Sequence, residues 1–399
     1  MTDGVRTLAR IPRGVWALGL VSLFMDLSSE LVHALLPLYM AGVLGASMLT
    51  IGAVEGVAES LALVVKLFSG TLSDRLRQRK PLVVAGYGLA AATKLVFPLA
   101  ATLGWVVFAR FADRVGKGIR GAPRDALIAD LTAPEVRGAS FGLRQALDTV
   151  GGFGGPLLAI AAVAGLAGDL RAAFWVAVVP ALVSVGLLVL GVEEPPHAGR
   201  VPSGGRAPQW RIADARRLPR EYAVVVAIAA AMTLARFSEA FLVLRAQSVG
   251  MPVGEAPWVM VIMSGVYALI AYPAGRCADR GHGKGLLVAG LGALVAADLV
   301  LARAGGRGAL FAGTALWGVH MGLTQGLLSK LVADAAPVDL RGTAFGVFYL
   351  VSGVALLAAS VLAGWLWSAL GAAYTFYAGA AFTAIALMGL LAATRRPGQ

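Results

Sequence analysis

The chain has 399 residues, of which 58% are hydrophobic and only 14% charged, and its mean hydropathy is +0.78. A soluble domain carries about 25% charged residues, so this composition excludes an ordinary soluble protein and predicts a surface that faces lipid. The single cysteine, Cys277, excludes a disulfide framework and a cysteine-based metal site. The net charge of +12 lies in short groups between apolar stretches, which indicates membrane orientation and no nucleic-acid partner.

Twelve mostly apolar stretches reach the roughly 20 residues that a membrane-spanning helix needs. In chain order these predicted spans are 14–40, 47–72, 81–103, 105–129, 138–164, 172–192, 221–246, 255–278, 284–303, 308–334, 341–367 and 371–394. The first span follows a polar start and is long enough to cross and be retained, so no cleavable signal is predicted. The fourth and tenth spans are the most polar.

Basic residues concentrate at the start of the chain, in alternate loops and at the end. The second and eighth loops and the central stretch 193–220 hold most of them, whereas the loops around Gly45, Leu103 and Leu370 carry no charge. The pair between the ninth and tenth spans, Arg303 and Arg307, is an exception. By the positive-inside rule, both termini are predicted to be cytoplasmic in a multi-pass protein of the inner or plasma membrane.

The central stretch 193–220 is the only long hydrophilic segment, and it contains prolines with glycine and serine. Such a composition is typical of a linker. The predicted organisation is therefore an N-terminal six-helix bundle over 1–192, a cytoplasmic linker over 193–220 and a C-terminal six-helix bundle over 221–399.

The two halves repeat each other at an offset of about 204 residues. The pattern Ala-Asp, six residues, Arg-Gly-x-x-Phe-Gly at 129–142 recurs at 333–346, and Val-Ala-Gly-x-Gly at 84–88 recurs at 288–292. Two shorter matches, Gly-x-x-x-Asp-Arg and Ser-Glu, follow the same order. Two parallel six-helix repeats are typical of transporters that bind their solute where the repeats meet.

Residues 70–80, Gly-Thr-Leu-Ser-Asp-Arg-Leu-Arg-Gln-Arg-Lys, resemble the signature loop between helices two and three of the major facilitator superfamily. Two positions depart from it, since Arg77 replaces a usual glycine and Gln78 a usual basic residue. The resemblance covers the whole chain. It implies an all-α membrane protein with twelve transmembrane helices in two pseudo-symmetric six-helix bundles, which moves a small solute by alternating access.

The signature loop and its copy in the second half are predicted to act as gates. Asp74 lies at a helix end, where its carboxylate can accept hydrogen bonds from a neighbouring helix N-terminus or an arginine and so lock the halves. The alternative is that the loop only anchors the chain by its positive charge. The gating candidates in these two loops are Gly70, Asp74, Arg75, Arg79, Gly275, Asp279 and Arg280.

Acidic residues within the spans predict a proton-binding site, because ionisable groups inside a membrane are costly and usually functional. Asp26 and Glu30 share one face of the first span with His33, a further candidate for the solute cavity. Glu239 has the related place in the seventh span. Two carboxylates this close do not both ionise easily. The alternative is a permanent ion pair with Arg236, itself a cavity candidate, or with an arginine of the fourth span.

The fourth span carries a basic stripe, since Arg110, Arg114, Lys117 and Arg124 fall within about 80° of one another at 100° per residue. Arg114-x-x-Lys117-Gly118 resembles the helix-four motif of the family, whose arginine is implicated in proton coupling or in binding solute charge. The resemblance also implies that this helix lines the cavity. Arg110, Arg114 and Lys117 are therefore expected to face an anionic solute or a carboxylate of the first span. For Arg120 and Arg124 the alternative is a place in the cytoplasmic rim.

The fifth span contains Asp148, a proton-coupling candidate, followed by Gly151-x-x-x-Gly155-Pro156. This pattern resembles the antiporter motif of drug–proton exchangers in the family, and it implies export. Small residues allow helices to approach closely and proline bends a helix, so these three positions are predicted to form a hinge or a seal. Ala159-Ile160 departs from the glycine pair that usually ends the motif.

The remaining polar residues of the spans receive weaker assignments. Glu59 is a cavity candidate, whereas Glu55 is expected to be solvated near the outer end of its span. Lys94 and Asp298 are equivalent by the offset of the repeat, and structural pairing is expected for both. In the tenth span, His320 and Gln325 are cavity candidates, although a lone histidine is more often a packing residue.

The sequence therefore predicts a proton-coupled secondary transporter that exports a small amphipathic or anionic compound. The alternatives are uptake of an organic anion or metal chelate by symport, and a membrane sensor that transports nothing. No His-Glu-x-x-His, phosphate-binding loop or nucleophile elbow occurs, so no enzyme, metal or cofactor is expected. The expected partners are the solute, protons and the lipid bilayer, with the protein acting as a monomer. The crowding of charges in the N-terminal half predicts that coupling occurs there.

Overall fold

A computed structural model describes residues 10–76, 78–194, 217–337 and 340–394, and over these residues the chain is α-helical with no strand. We number the α-helices in chain order. They are α1 Arg13–Gly42, α2 Met48–Leu76, α3 Lys80–Leu99, α4 Leu103–Leu131, α5 Arg137–Gly165, α6 Leu170–Gly191, α7 Arg220–Ala235, α8 Ala240–Ser248, α9 Trp258–Cys277, α10 Gly283–Ala302, α11 Arg307–Ala335, α12 Arg341–Leu370 and α13 Ala372–Thr394. A 3-10 turn, Pro134–Val136, precedes α5, and a π-helical turn, Ala278–His282, joins α9 to α10.

The helices confirm the predicted all-α membrane fold. Within the described residues, ten helical segments are long and apolar enough to cross a membrane. The two long helices outside that group, α4 and α11, have 29 residues each and correspond to the two most polar predicted spans. The seventh predicted span is divided into α7 and α8, because the chain leaves the helical conformation at Arg236 (φ −114°, ψ 96°).

Polar contacts satisfy the backbone at several helix ends. The Asp169 carboxylate accepts hydrogen bonds from the backbone N–H groups of Arg171 (2.9 Å) and Ala172 (3.0 Å) and so caps α6. Near the end of α10, the guanidinium of Arg245 donates to the carbonyls of Leu301 and Ala304, both at 2.9 Å. These contacts satisfy backbone groups at helix ends. A backbone group without a hydrogen bond is costly inside a membrane.

The chain packs as two units. Among the described residues, one unit comprises the chain up to Leu35 and from Leu61 to Glu194, and the second comprises Leu36–Ser60 with everything from Arg217 onward. The predicted linker 193–220 lies largely outside the described residues, so the sequence-based domain boundaries stay a prediction.

The segment Leu36–Ser60 belongs to the second unit because the first half of α2 packs tightly along α12. The Ser60 hydroxyl donates to the Gly353 carbonyl at 2.6 Å, and Gly52 lies directly against the Ser360 carbonyl. A Cβ atom at Gly56 would come within 3.1 Å of the Leu357 Cα atom. Glu55 is fully buried on this part of α2, so the expectation that it is solvated was wrong.

The internal repeat is also visible in how the helices pack. On α3, a Cβ atom at Gly86 would lie 2.8 Å from the Gly116 carbonyl oxygen of α4. At the positions 204 residues later, a Cβ atom at Gly290 of α10 would lie 3.7 Å from the His320 carbonyl oxygen of α11. The two halves therefore use equivalent glycines to bring equivalent helix pairs together, as the sequence offset predicts.

Candidate functional site

The glycines of α5 provide the surface on which the acidic face of α1 rests. A Cβ atom at Gly151 would lie 2.5 Å from the Leu23 carbonyl oxygen and 3.0 Å from the Asp26 Cβ atom. One turn further on, a Cβ atom at Gly155 would lie 2.5 Å from the Glu30 Cβ atom. The predicted antiporter motif therefore contacts α1 at the two carboxylates that were predicted to bind protons.

Asp26 forms a loose ion pair with α4. Its Oδ1 atom lies 4.0 Å from Arg120 Nη2, beyond hydrogen-bond distance, and its side chain is 27% exposed. The Arg120 guanidinium lies over the Tyr87 ring, 4.6 Å from its centroid, which holds the cation in place. Asp148 and Lys117 also act electrostatically on Asp26. Protonation of Asp26 would end this pair, in which no hydrogen bond has to break, and the Arg120 guanidinium would keep its contact with the Tyr87 ring.

Asp148 of α5 is shared between two arginines. Its carboxylate lies 2.9 Å from Arg144 Nη1 and 4.0 Å from Arg124 Nη1. Arg124 also contacts Asp125 at 3.1 Å and donates to the Ser22 hydroxyl at 2.9 Å. The contacts link α1, α4 and α5 through one network of charges.

Arg120 and Arg124, at the C-terminal part of α4, are buried. Arg120 is only 4% exposed, and the Arg124 side chain is 12% exposed within the network of α1, α4 and α5. The alternative that these two residues are simply a cytoplasmic rim does not account for their burial and their contacts with other helices. Long side chains with partners on two other helices are held in the interior, although they lie near the end of the helix in sequence.

Glu30 and His33 pair along α1. Glu30 Oε2 lies 3.6 Å from His33 Nδ1, and His33 is 8% exposed. Arg114 and Lys117 are further charged groups that act on Glu30. Lys117 is exposed, and among the described residues no ion pair is recorded for it. It therefore places an accessible positive charge beside both carboxylates of α1.

The first two residues of the basic stripe, Arg110 and Arg114, are buried and not accessible to a solute. Lys94 Nζ lies 2.8 Å from Asp113 Oδ1, and Arg114 Nε lies 3.4 Å from Asp113 Oδ2. Arg110 is 1% exposed, like Arg114. Structural pairing was therefore a correct prediction for Lys94. Of the three α4 residues expected to face a solute, only Lys117 is exposed.

In the second unit, the break between α7 and α8 carries the polar candidates. Arg236 and Glu239 flank the break and both act electrostatically on Tyr267 of α9. The backbone N–H of Ser238, within the break, donates to the Ser360 hydroxyl of α12 at 3.2 Å. The break thus places two half-buried charged side chains close together in sequence within this unit.

The other cavity candidates of the second unit are less open. His320 is 2% exposed, and its Nδ1 atom lies 2.9 Å from the Gly290 carbonyl oxygen, so it packs between α11 and α10. Gln325 and Glu59 are half-buried. These contacts favour the packing interpretation of His320 over a place in the cavity.

The signature loop is held by two acids of the first unit. The Arg79 side chain pairs with Asp130 at 2.5 Å, within the repeated Ala-Asp motif. The Glu194 carboxylate accepts hydrogen bonds from the backbone N–H groups of Arg79 (2.8 Å) and Lys80 (2.6 Å). The side chains of Asp74, Arg75 and Asp279 lie outside the described part of the chain. Gly275 and Arg280 are exposed, and Gly70 packs against Ala122.

Sequence reasoning missed the neutral members of the network. Tyr87 and Ser22 hydrogen-bond each other at 3.1 Å and both contact Arg124. Tyr87 lies inside the repeated Val-Ala-Gly-x-Gly motif, which was the available signal. Among the described residues, no group of three His, Cys, Asp or Glu side chains could hold a metal ion.

Comparisons with known proteins agree with this architecture. A family model described as Major Facilitator Superfamily matches residues 18–244 and 223–399. An uncharacterized MFS-type transporter, MJ1317 of Methanocaldococcus jannaschii, is 33% identical over 364 residues, covering 90% of this chain and 89% of that protein. The inner membrane transport protein YajR of Escherichia coli is 26% identical over 404 residues, covering 96% and 83%. The nucleoside transporter NupG has a similar fold, with a TM-score of 0.78 at 13% identity and coverage of 97% and 100%.

Proposed function

This chain belongs to the Major Facilitator Superfamily, and from that premise we propose that it is a proton-coupled secondary transporter that exports a small amphipathic or anionic compound. Family membership makes it a multi-pass membrane transporter. The proposal adds the proton, the direction and the class of solute. It also keeps the predicted location in the cell membrane with both termini cytoplasmic, and a monomer that works without a cofactor.

The observation that carries the proposal is the loose Asp26–Arg120 pair on the surface that α5 covers. Two unit charges 4 Å apart attract by about 4 kcal/mol at an effective dielectric constant of 20. A proton on Asp26 removes this attraction and also removes the repulsion between Asp26 and Asp148. Because α5 touches α1 at Asp26 without an intervening side chain, any shift of α1 displaces α5 directly.

This geometry supports exchange of a proton for a solute. An amphipathic solute that carries a positive charge competes with protons for Asp26 and Glu30, so that the solute leaves as a proton arrives. Arg144 and Arg124 hold Asp148 in place during the exchange.

Symport of an organic anion is the second candidate, and the exposure of Lys117 favours it. An anion bound to Lys117 would add negative charge beside Asp26 and Glu30 and would thereby strengthen proton binding at both. The anion and the proton would then move together. The two candidates differ in the sign of the proton movement that a solute produces.

Proteoliposomes that contain a trapped pH indicator test both candidates. Rhodamine 6G, an amphipathic cation, and benzoate, an organic anion, are added from outside while the internal pH is followed. Export by exchange predicts that uptake of rhodamine 6G into the vesicle drives protons out, whereas symport predicts that benzoate and protons enter together. Proton movement that equals that of empty liposomes, for these and for a wider solute panel, contradicts proton coupling.

A further inference from the structure

Asp298 lies on α10 and is fully buried, and neither of its carboxyl oxygens has a hydrogen-bond partner among the described residues. The carboxyl group rests on the backbone of α13, since a Cβ atom at Gly379 would lie 2.6 Å from its Oδ2 atom. The same point is 3.1 Å from Cε1 of Phe237, which lies in the break between α7 and α8. The expectation of structural pairing for Asp298 was therefore wrong.

The surroundings of this carboxyl group are apolar. The Phe237 ring packs against Trp317, with centroids 5.3 Å apart, and against Phe376 at 5.4 Å. None of the described charged or titratable side chains on the elements around α10 forms a hydrogen bond or an ion pair with Asp298. Those side chains are Arg220, Glu221, Tyr222, Arg236, Glu239 and Arg245 of the α7–α8 segment, Tyr267, Tyr272, Arg276, Cys277, Arg280 and His282 of α9 and the π-helical turn, Lys284 and Arg303 at the two ends of α10, Arg307 and His320 of α11, and Tyr374 and Tyr377 of α13.

The internal repeat explains why the partner is absent. Lys94, at the equivalent position of the first half, pairs with Asp113 at 2.8 Å. Adding 204 to 113 gives 317, and residue 317 is a tryptophan. The second half therefore keeps an ionisable group at this position but has an aromatic ring where the counter-charge would be. An ionised carboxylate in such surroundings is strongly disfavoured, so the neutral acid is the stable form.

We propose that Asp298 is a proton-binding site of the second unit, separate from the network around Asp26, and that it releases its proton when the break between α7 and α8 moves Phe237 away. In that step the carboxyl O–H bond breaks, the proton passes to water and a carboxylate remains. Arg236 precedes Phe237 in the break and is the cation that would neutralise this carboxylate. The role in transport rests on the proposed proton coupling, whereas the occupancy of Asp298 by a proton does not.

Infrared spectroscopy of the purified protein in lipid tests the occupancy. Wild type is expected to show a carboxylic-acid C=O band at pH 7 that shifts after labelling of aspartate with carbon-13 at the carboxyl group and is missing in Asp298→Asn. Absence of such a band in wild type shows an ionised Asp298 and overturns the proposal. The isotope shift identifies the band as that of a protonated aspartate, and its loss in Asp298→Asn but not in Asp26→Asn assigns it to Asp298.

Spin labels on the second unit test the coupling to the break. Val224 of α7 and Ile385 of α13 are 52% and 61% exposed and would be replaced by cysteine in a Cys277→Ser background. Raising the pH is expected to change the distance between the labels in wild type and in Asp298→Glu, whereas Asp298→Asn keeps the low-pH distance throughout. Glu255→Gln, which alters an exposed pair with Arg307, is the control and should respond like wild type.

An identical pH response in wild type and Asp298→Asn, or no pH response in wild type, overturns the coupling. Failure of the proposed function would be seen separately, as missing proton movement in the liposome experiment while the infrared band of Asp298 is still present.

Discussion

Gly155 of α5 lies so close to Glu30 of α1 that a Cβ atom on the glycine would come within 2.5 Å of the Glu30 Cβ atom. Four residues earlier, Gly151 has the same relationship to Asp26, at 3.0 Å. The helix that carries the predicted antiporter motif therefore has no side chain between its backbone and the acidic face of α1. Any larger residue at either position must therefore separate the two helices.

Gly155→Val is expected to abolish transport and to destabilise the protein by roughly 1–3 kcal/mol, the usual effect of overpacking a tight contact. Solute flux in proteoliposomes and thermal unfolding in detergent measure the two effects. Gly152→Val is the matched control, because a Cβ atom at Gly152 meets nothing within 4 Å. Equal flux in both variants would show that the close approach of α5 to α1 does not matter for transport.

Asp26→Asn is expected to abolish transport driven by a pH gradient, because the amide cannot bind and release a proton. Exchange of solute for solute without a gradient should continue, since the side chain keeps its size. Both fluxes are measured in the same proteoliposomes. Glu135→Gln, an exposed acid outside the network, should behave like wild type. Gradient-driven flux that is unchanged in Asp26→Asn would remove Asp26 from the coupling mechanism.

Lys94→Met is expected to lower the free energy of unfolding by about 3–5 kcal/mol, because it leaves Asp113 buried with a weaker set of partners. The double variant Lys94→Met with Asp113→Asn should recover little of that loss, because Asp113 also pairs with Arg114, whose buried guanidinium then loses its carboxylate. Chemical or thermal unfolding in detergent gives the comparison. As a control, Arg307→Gln breaks an exposed pair at 2.8 Å and should change stability by about 0–1 kcal/mol. Equal free energies of unfolding for Lys94→Met and Arg307→Gln would show that the buried pair stabilises the protein no more than the exposed one.

Gly52→Leu is expected to prevent the seam between α2 and α12 from closing, because Gly52 lies directly against the Ser360 carbonyl. Transport should be lost, and a cysteine introduced at Leu49 should react faster with a water-soluble maleimide than it does without the leucine. The measurement is made in a Cys277→Ser background, which removes the only native cysteine. Gly389→Leu serves as control, since a Cβ atom there meets nothing within 4 Å. A reaction rate unchanged by Gly52→Leu would contradict the role of this seam.

Much of the fold could be predicted from the sequence because hydropathy and repetition are properties of the chain alone. A run of about 20 apolar residues has to form a helix in lipid, whatever its neighbours are. The repeat that relates 84–88 to 288–292 was likewise visible in the sequence, and in the structure Gly86 and Gly290 pack in equivalent ways. The break between α7 and α8 was not predicted, because the mean hydropathy over a window of 18 residues still indicates one apolar span there, although Arg236 and Glu239 flank the break.

The sequence could predict which residues belong to the candidate site but not which contacts they make. The sequence by itself determined that Asp26, Glu30 and a basic α4 would lie inside a membrane protein, since spacing on a helix and the cost of intramembrane charge follow from residue types. Only the tertiary structure decided that Arg120 faces Asp26, that Lys94 has a partner and that its equivalent, Asp298, has none. The physical reason is that ion pairing between helices depends on their rotation and separation, which the packing of small residues such as Gly151 and Gly379 sets.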